Sequence, residues 1–152
     1  MGGALVVERE RLGGGVDGSV FAIAGHNDAV IAGGNFQSAG GAAASRVARW
    51  NGEQWEGLSG GTNGTVYAMV SSGPDLYVGG FFSTAGGQSA NSVARWNGSS
   101  WSALGDGLNN RVYALEMFDD GSGEALYAAG LFASTGGDPV SRIAKWDGQS
   151  WL

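Results

Sequence analysis

Apolar and polar positions along the chain repeat as blocks. "GSVFAIA" at 18–24 returns as "GTVYAMV" at 64–70 and "NRVYALE" at 110–116, two steps of 46 residues. "AGGNFQSAGG" at 32–41 returns as "VGGFFSTAGG" at 78–87 and "AAGLFASTGG" at 128–137, in steps of 46 and then 50. The four extra residues of the last step lie in "MFDDGSGEA", between two apolar segments. "SRVARWNGEQW" at 45–55 recurs as "NSVARWNGSSW" at 91–101 and "SRIAKWDGQSW" at 141–151. Within a unit the apolar runs are short, rich in β-branched and aromatic residues, and divided by Gly, Asn, Asp and Ser clusters. "VYAMV", "LYVGGFF", "SVARW" and "SWSAL" therefore read as four β-strands, and nothing has helical periodicity. Repeated four-stranded antiparallel units of this length are the sequence mark of β-propeller blades. The chain reads as a single all-β array over residues 1–152. Residues 1–12 read as an N-terminal closing strand, and repeats are expected at 13–58, 59–104 and 105–152.

The third and fourth segments of each unit are joined through Asn51-Gly52, Asn97-Gly98 or Asp147-Gly148. Such dipeptides suit a two-residue type I′ hairpin, where both loop positions need positive φ. That loop would set Trp50 opposite Glu53 and Ala48 opposite Trp55, making Trp50 and Trp55 diagonal neighbours on one face. The same construction groups Trp96, Ala94 and Trp101, then Trp146, Ala144 and Trp151. Val47 and Arg49, Val93 and Arg95, and Ile143 and Lys145 fall on the opposite face.

Composition narrows what such an array can do. Glycine supplies 30 of 152 residues with only two prolines, as many tight turns require. Net charge is -6 with a pI near 4.5, so no basic footprint points to nucleic acid. Cysteine is absent, which excludes disulfides and thiolate-bound metals and leaves stability to packing. No apolar run approaches the roughly 20 residues of a membrane span, and "MGGALVVERER" lacks the pattern of a signal peptide. Membrane insertion and a signal peptide in this chain are not expected.

The joint occurrence of "ARWNG", a following Trp and "GGxFxxxGG" over residues 12–152 resembles bacterial extracellular repeat proteins of kelch-like type. It also resembles, distantly, fungal cortical polarity-marker proteins. The resemblance implies a propeller and a location outside the cell or at its surface, and it brings no catalytic residues. "ALVVERER" at 4–11 stands where the Trp-Asn-Gly hairpin would be expected. Three units fall short of the four to eight blades of a typical propeller. The expectation is a ring completed by oligomerisation, with a six-bladed two-fold homodimer favoured.

Candidate chemistry is sparse. Trp55, Trp101 and Trp151 could stack on sugar rings, although their recurrence beside a small Ala favours packing between blades. Arg49, Arg95 and Lys145 could line a groove for an acidic ligand, or lay their stems on apolar neighbours with the charge in water. "DDGSGE" at 119–124 is rich in oxygen ligands but lacks calcium-loop spacing, and reads as a hairpin insertion. Asp17, Asn63 and Asn109 read as turn residues bonding local backbone, and Ser38, Thr84 and Ser134 likewise. His26, the sole histidine, reads as an exposed loop residue with no nucleophile motif beside it. No catalytic residue, metal site or cofactor is expected. The leading reading is a non-enzymatic interaction scaffold that binds an unidentified protein; the alternative is a glycan-binding, lectin-like propeller.

Overall fold

The computed structural model of the protein describes residues 12–152, so the expected closing strand at 1–12 lies outside the described residues except for Leu12. Strands and turns make up the described chain, with a 3-10 turn at Leu12–Gly14. The first repeat contains β1 (Val20–His26), β2 (Ala29–Gly34), β3 (Ser38–Ala39), β4 (Ala42–Ala43), β5 (Val47–Trp50) and β6 (Trp55–Gly57). The second contains β7 (Thr65–Ser72), β8 (Asp75–Phe81), β9 (Thr84–Ala85), β10 (Gln88–Ser89), β11 (Val93–Trp96) and β12 (Trp101–Ala103). The third contains β13 (Val112–Asp119), β14 (Glu124–Gly130), β15 (Ser134–Thr135), β16 (Asp138–Pro139) and β17 (Ile143–Trp146). β1-β2-β5-β6 and β7-β8-β11-β12 are four-stranded antiparallel sheets. The third sheet is β13-β14-β17, extended by a bridge between Trp146 and Trp151. Each repeat adds a two-stranded ribbon, β3-β4, β9-β10 or β15-β16, that the apolar pattern does not announce because its strands have two residues each.

The tryptophan hairpin differs from the expectation. Its connection has four residues, Asn51 to Gln54, so Trp50 lies directly opposite Trp55 and Ala48 opposite Gly57. The cause is the asparagine side chain. Asn51 Oδ1 accepts from the backbone N–H of Glu53 and Gln54 at 2.8 and 3.0 Å, closing an Asx turn in which Gly52 has φ 102° and Asn51 stays outside the positive-φ set. Asn97 and Asp147 do the same with the residues two and three ahead. In the third repeat Lys145 and Leu152 exchange both backbone hydrogen bonds, which makes Trp146 and Trp151 a non-hydrogen-bonded pair, where side chains approach closest. Ring centroids accordingly lie 5.5, 5.2 and 5.4 Å apart in the three pairs.

Register assigns each side chain to a sheet face. In the first sheet, Val20, Ile23, Val30, Ala32, Ala48, Trp50 and Trp55 share one face, and Ala24, Ile31, Gly33, Val47 and Arg49 the other. The second face of sheet one packs on the first face of sheet two in one apolar cluster that includes Ile31, Val47, Val66, Leu76, Val78 and Trp96. The same joint recurs between sheets two and three with Val93, Val112, Leu126, Ala128 and Trp151. First strands β1, β7 and β13 lie side by side in succession.

The paired glycines have two separate jobs. A Cβ on Gly33 would lie 2.6 Å from Val66 Cγ1, and one on Gly79 2.7 Å from Val112 Cγ1, so the first glycine is a socket for the next sheet. A Cβ on Gly34, Gly80 or Gly130 would collide with the carbonyl oxygen of Ser19, Thr65 or Arg111, at or just before the start of the adjoining first strand. There a bulge leaves Phe21, Tyr67 and Tyr113 unpaired. The third repeat reads Ala128-Ala129-Gly130, keeping the glycine that the backbone crossing needs and replacing the socket.

Candidate functional site

Bulges re-aim side chains. At the three equivalent bulges the aromatic rings leave the regular alternation and meet across the sheets: Phe21 and Tyr67 centroids are 5.5 Å apart, Tyr67 and Tyr113 5.0 Å. Phe21 and Tyr113, at the ends of the row, are 51% and 46% exposed, and Tyr67 between them is half-buried. The guanidinium of Arg111, the residue before β13, sits 4.3 Å above the Phe81 ring, itself about half exposed. The result is an aromatic strip of three rings, exposed at its two ends and half-buried in the middle, with the Arg111 cation two residues before Tyr113 in sequence. In the apolar pattern these residues read as strand formers. The available signal was an aromatic residue recurring beside Val at the same place in all three repeats, but a bulge changes the parity and hides its exposure.

Of the tryptophans nominated from sequence, Trp101 and Trp151 lie inside the joints between sheets and Trp55 lies outside them. Trp101 and Trp151 are buried, and their indole N–H groups donate to the carbonyls of Leu58 and Leu104 in the preceding repeat at 2.7 and 3.0 Å. Trp55 is half-buried and donates to the Leu12 carbonyl at 2.8 Å. Trp101 and Trp151 are thus bolts between successive units, whereas Trp55 lies on the outer face of sheet one against its own repeat, each indole using its polar handle on backbone.

The nominated cations each have a carboxylate partner. Arg49 Nη1 bonds Glu56 at 3.0 Å, and Lys145 Nζ bonds Asp120 at 2.7 Å. Arg95 Nε lies 2.9 Å from an Asp75 oxygen, an ion pair by distance whose N–H direction falls short of a hydrogen bond. The "DDGSGE" insertion is a hairpin loop, with Asp119 opposite Glu124, and it folds back over the outer face of sheet three. Asp120 there accepts from Lys145, from Ser122 and from the Tyr127 hydroxyl. These donors, Lys145 first, hold the Asp120 carboxyl well below the usual carboxylate range, and the same contact raises the Lys145 ammonium. Burial, helped by Asp120, pushes the Tyr127 phenol up.

His26 is corrected from a loop residue to a buried one. It ends β1, is 5% exposed, and its Nε2 contacts the Pro74 carbonyl at 2.7 Å, tying the first sheet's hairpin tip to the second's. Asp17, Asn63 and Asn109 bond backbone about twenty residues ahead instead of in their own turns. Asp17 Oδ1 accepts from Gln37 and Ser38, Asn63 from Ser83 and Thr84, Asn109 from Ala133 and Ser134. Two backbone donors lower the Asp17 pKa. Ser38, Thr84 and Ser134 are the donors' own residues, in the ribbon strands. Beside Trp146 and Trp151 lies a pocket of about 100 Å³ that also contains Asp106, Asp138 and Gln149; the equivalents of Asp106 in the first two repeats are Gly14 and Gly60, and those of Asp138 are Ala42 and Gln88. Among the described residues no group of three or more His, Cys, Asp or Glu side chains is arranged to hold a metal ion.

No family model matches the chain, and no curated protein matches it. Among solved structures it is similar to the computationally designed Ika4 protein, at 13% identity and a TM-score of 0.44, over 87% of this chain and 92% of that one. It is similar to the computationally designed Ika8 protein at 14% identity and a TM-score of 0.44, over 91% of this chain and 49% of that one. At such identity and score neither likeness bears on what this chain does.

Proposed function

We propose that the chain is a non-enzymatic interaction scaffold of the propeller type. Its three sheets act as blades, a second copy completes the ring, and the module works outside the cell, as the resemblance to extracellular repeat proteins implies. The observation that supports a binding role is the aromatic strip. Three large rings recur at equivalent bulges outside the buried apolar clusters, and the two at the ends of the row are about half exposed. Exposed aromatic residues with a neighbouring arginine are the composition of protein-contact hot spots. The partner is a protein surface with an apolar, weakly acidic patch.

The test compares the wild-type chain with Phe21→Ser/Tyr113→Ser as bait for surface-protein fractions, with a glycan array run in parallel. A partner retained by the wild type and lost by the variant, with a blank array, supports the scaffold. Equal capture by both proteins defeats the strip. Glycan binding has one specific support, the pocket where Trp146 and Trp151 meet Asp106 and Asp138, since indole faces beside hydrogen-bonding carboxylates suit sugars. Array hits abolished by Asp138→Ala would establish that reading instead.

A further inference from the structure

Each internal joint has two halves, and both halves are also present at the ends of the stack, where no other described sheet covers them. In the joints, Val66 and Met69 seat on Gly33, and Val112 and Leu115 on Gly79. Their equivalents in the first sheet, Val20 and Ile23, are 43% and 71% exposed. Val30, equivalent to the fully buried Leu76 and to the buried Leu126, is exposed as well. At the other end, Ile143 takes the place of Val47 and Val93, both fully buried, and is 65% exposed. Aromatic rings of the strip are also most exposed at these two ends. One end carries the projecting half and the other the receiving half, so the surfaces differ and complement each other.

We infer that the outer face of sheet one docks on the outer face of sheet three in a second copy of this chain, Val20 and Ile23 of one copy lying against Ala129 and Ile143 of the other. The inference rests on the propeller reading only for the number of copies; the docking itself continues a joint the chain already makes twice. Apolar surface at both ends supplies the driving force. Three features make this joint weaker than the internal ones, the first being the inserted loop, whose Asp120 lies across Lys145 and Tyr127 on the receiving face. Ala129 puts a methyl where Gly33 and Gly79 leave a socket, which keeps the sheets slightly farther apart. Glu116 stands on the first strand where the internal joints have Ala24 and Val70, and it must be desolvated or turned aside.

Sedimentation equilibrium at micromolar concentration tests the docking. The wild-type chain is expected at about twice 15.4 kDa, and Ile23→Asp and Ile143→Asp are each expected at the mass of a single chain with unchanged circular dichroism. Both residues are exposed in the single chain, so neither change should disturb its fold. A wild-type mass of one chain, or dissociation by only one of the two changes, overturns the inference, the second because a face meeting its own copy needs no partner face. A ladder of larger species dissolved by both changes upholds the docking and defeats the closed ring. Glu116→Val/Ala129→Gly, which restores the internal joints' residues at these two positions, is expected to lower the dissociation constant roughly tenfold or more. Unchanged or weaker association in that variant overturns the seating on Ala129.

Discussion

Val93 and Ile143 hold the same place in their repeats, in strands that read "SVARW" and "RIAKW", yet Val93 is fully buried and Ile143 lies largely in water. Strand geometry is common to both, and what differs is whether another sheet follows. Where one does, Gly79 makes room for Val112, the strand opposite is apolar, and Trp101 and Trp151 lock unit to unit. On the uncovered face, socket and apolar lining have given way to Ala129 and Glu116, and the inserted loop lays Asp120 across Lys145 and Tyr127. The comparison teaches that repeat sequence encodes a strand, while burial is a property of the pair of sheets.

The sharpest way to break that contrast is to remove a bolt. Trp101→Ala should lower stability by about 3–5 kcal/mol, the range for truncating a buried large aromatic, measured by denaturant unfolding. Trp55→Ala, at the half-buried equivalent, should cost less, and equal losses would show that a place inside a joint adds nothing. Next comes the socket. Gly79→Val should cost about 1–3 kcal/mol through overpacking against Val112, whereas Ala129→Val, on the open face, should stay within about 0.5 kcal/mol at concentrations where the chain is single.

Gly98→Val acts locally and should cost about 1–3 kcal/mol, because a β-branched residue tolerates poorly the φ of 101° held there, and a normal thermal midpoint would contradict the Asx-turn geometry. The smallest effect separates Asp17 from Asn63. The lowered Asp17 pKa means that its contribution is fully present above the ordinary value of 3.8 and is lost as pH falls through the lower folded value. Asp17→Asn should keep the two backbone bonds, as Asn63 does, and flatten part of the fall in thermal midpoint below about pH 4. An identical acid profile in wild type and variant would remove Asp17 from the account.

Much of this molecule is written locally. Repeat spacing located the strands, the Asn-Gly and Asp-Gly pairs located the third hairpin of each unit, and the tryptophans were legible as packing residues from the small alanine beside them. The insertion at 119–124 was legible as a loop because it changed only the interval between apolar runs. Other features were not, for reasons that are physical. An Asx turn and a type I′ turn draw on the same dipeptide, and only the cross-strand register shows which forms, so Trp50 opposite Trp55 was decided by side-chain hydrogen bonds. The bulge that turns Phe21, Tyr67 and Tyr113 outward depends on close passage of the second strand's glycine beneath a carbonyl at or just before the start of the first strand. His26 is buried because a hairpin tip 48 residues away supplies Pro74. Period and turn chemistry are properties of neighbouring residues and can be read along the chain. Exposure, pairing partner and joint are properties of residues brought together from different repeats, and only the tertiary structure decides them.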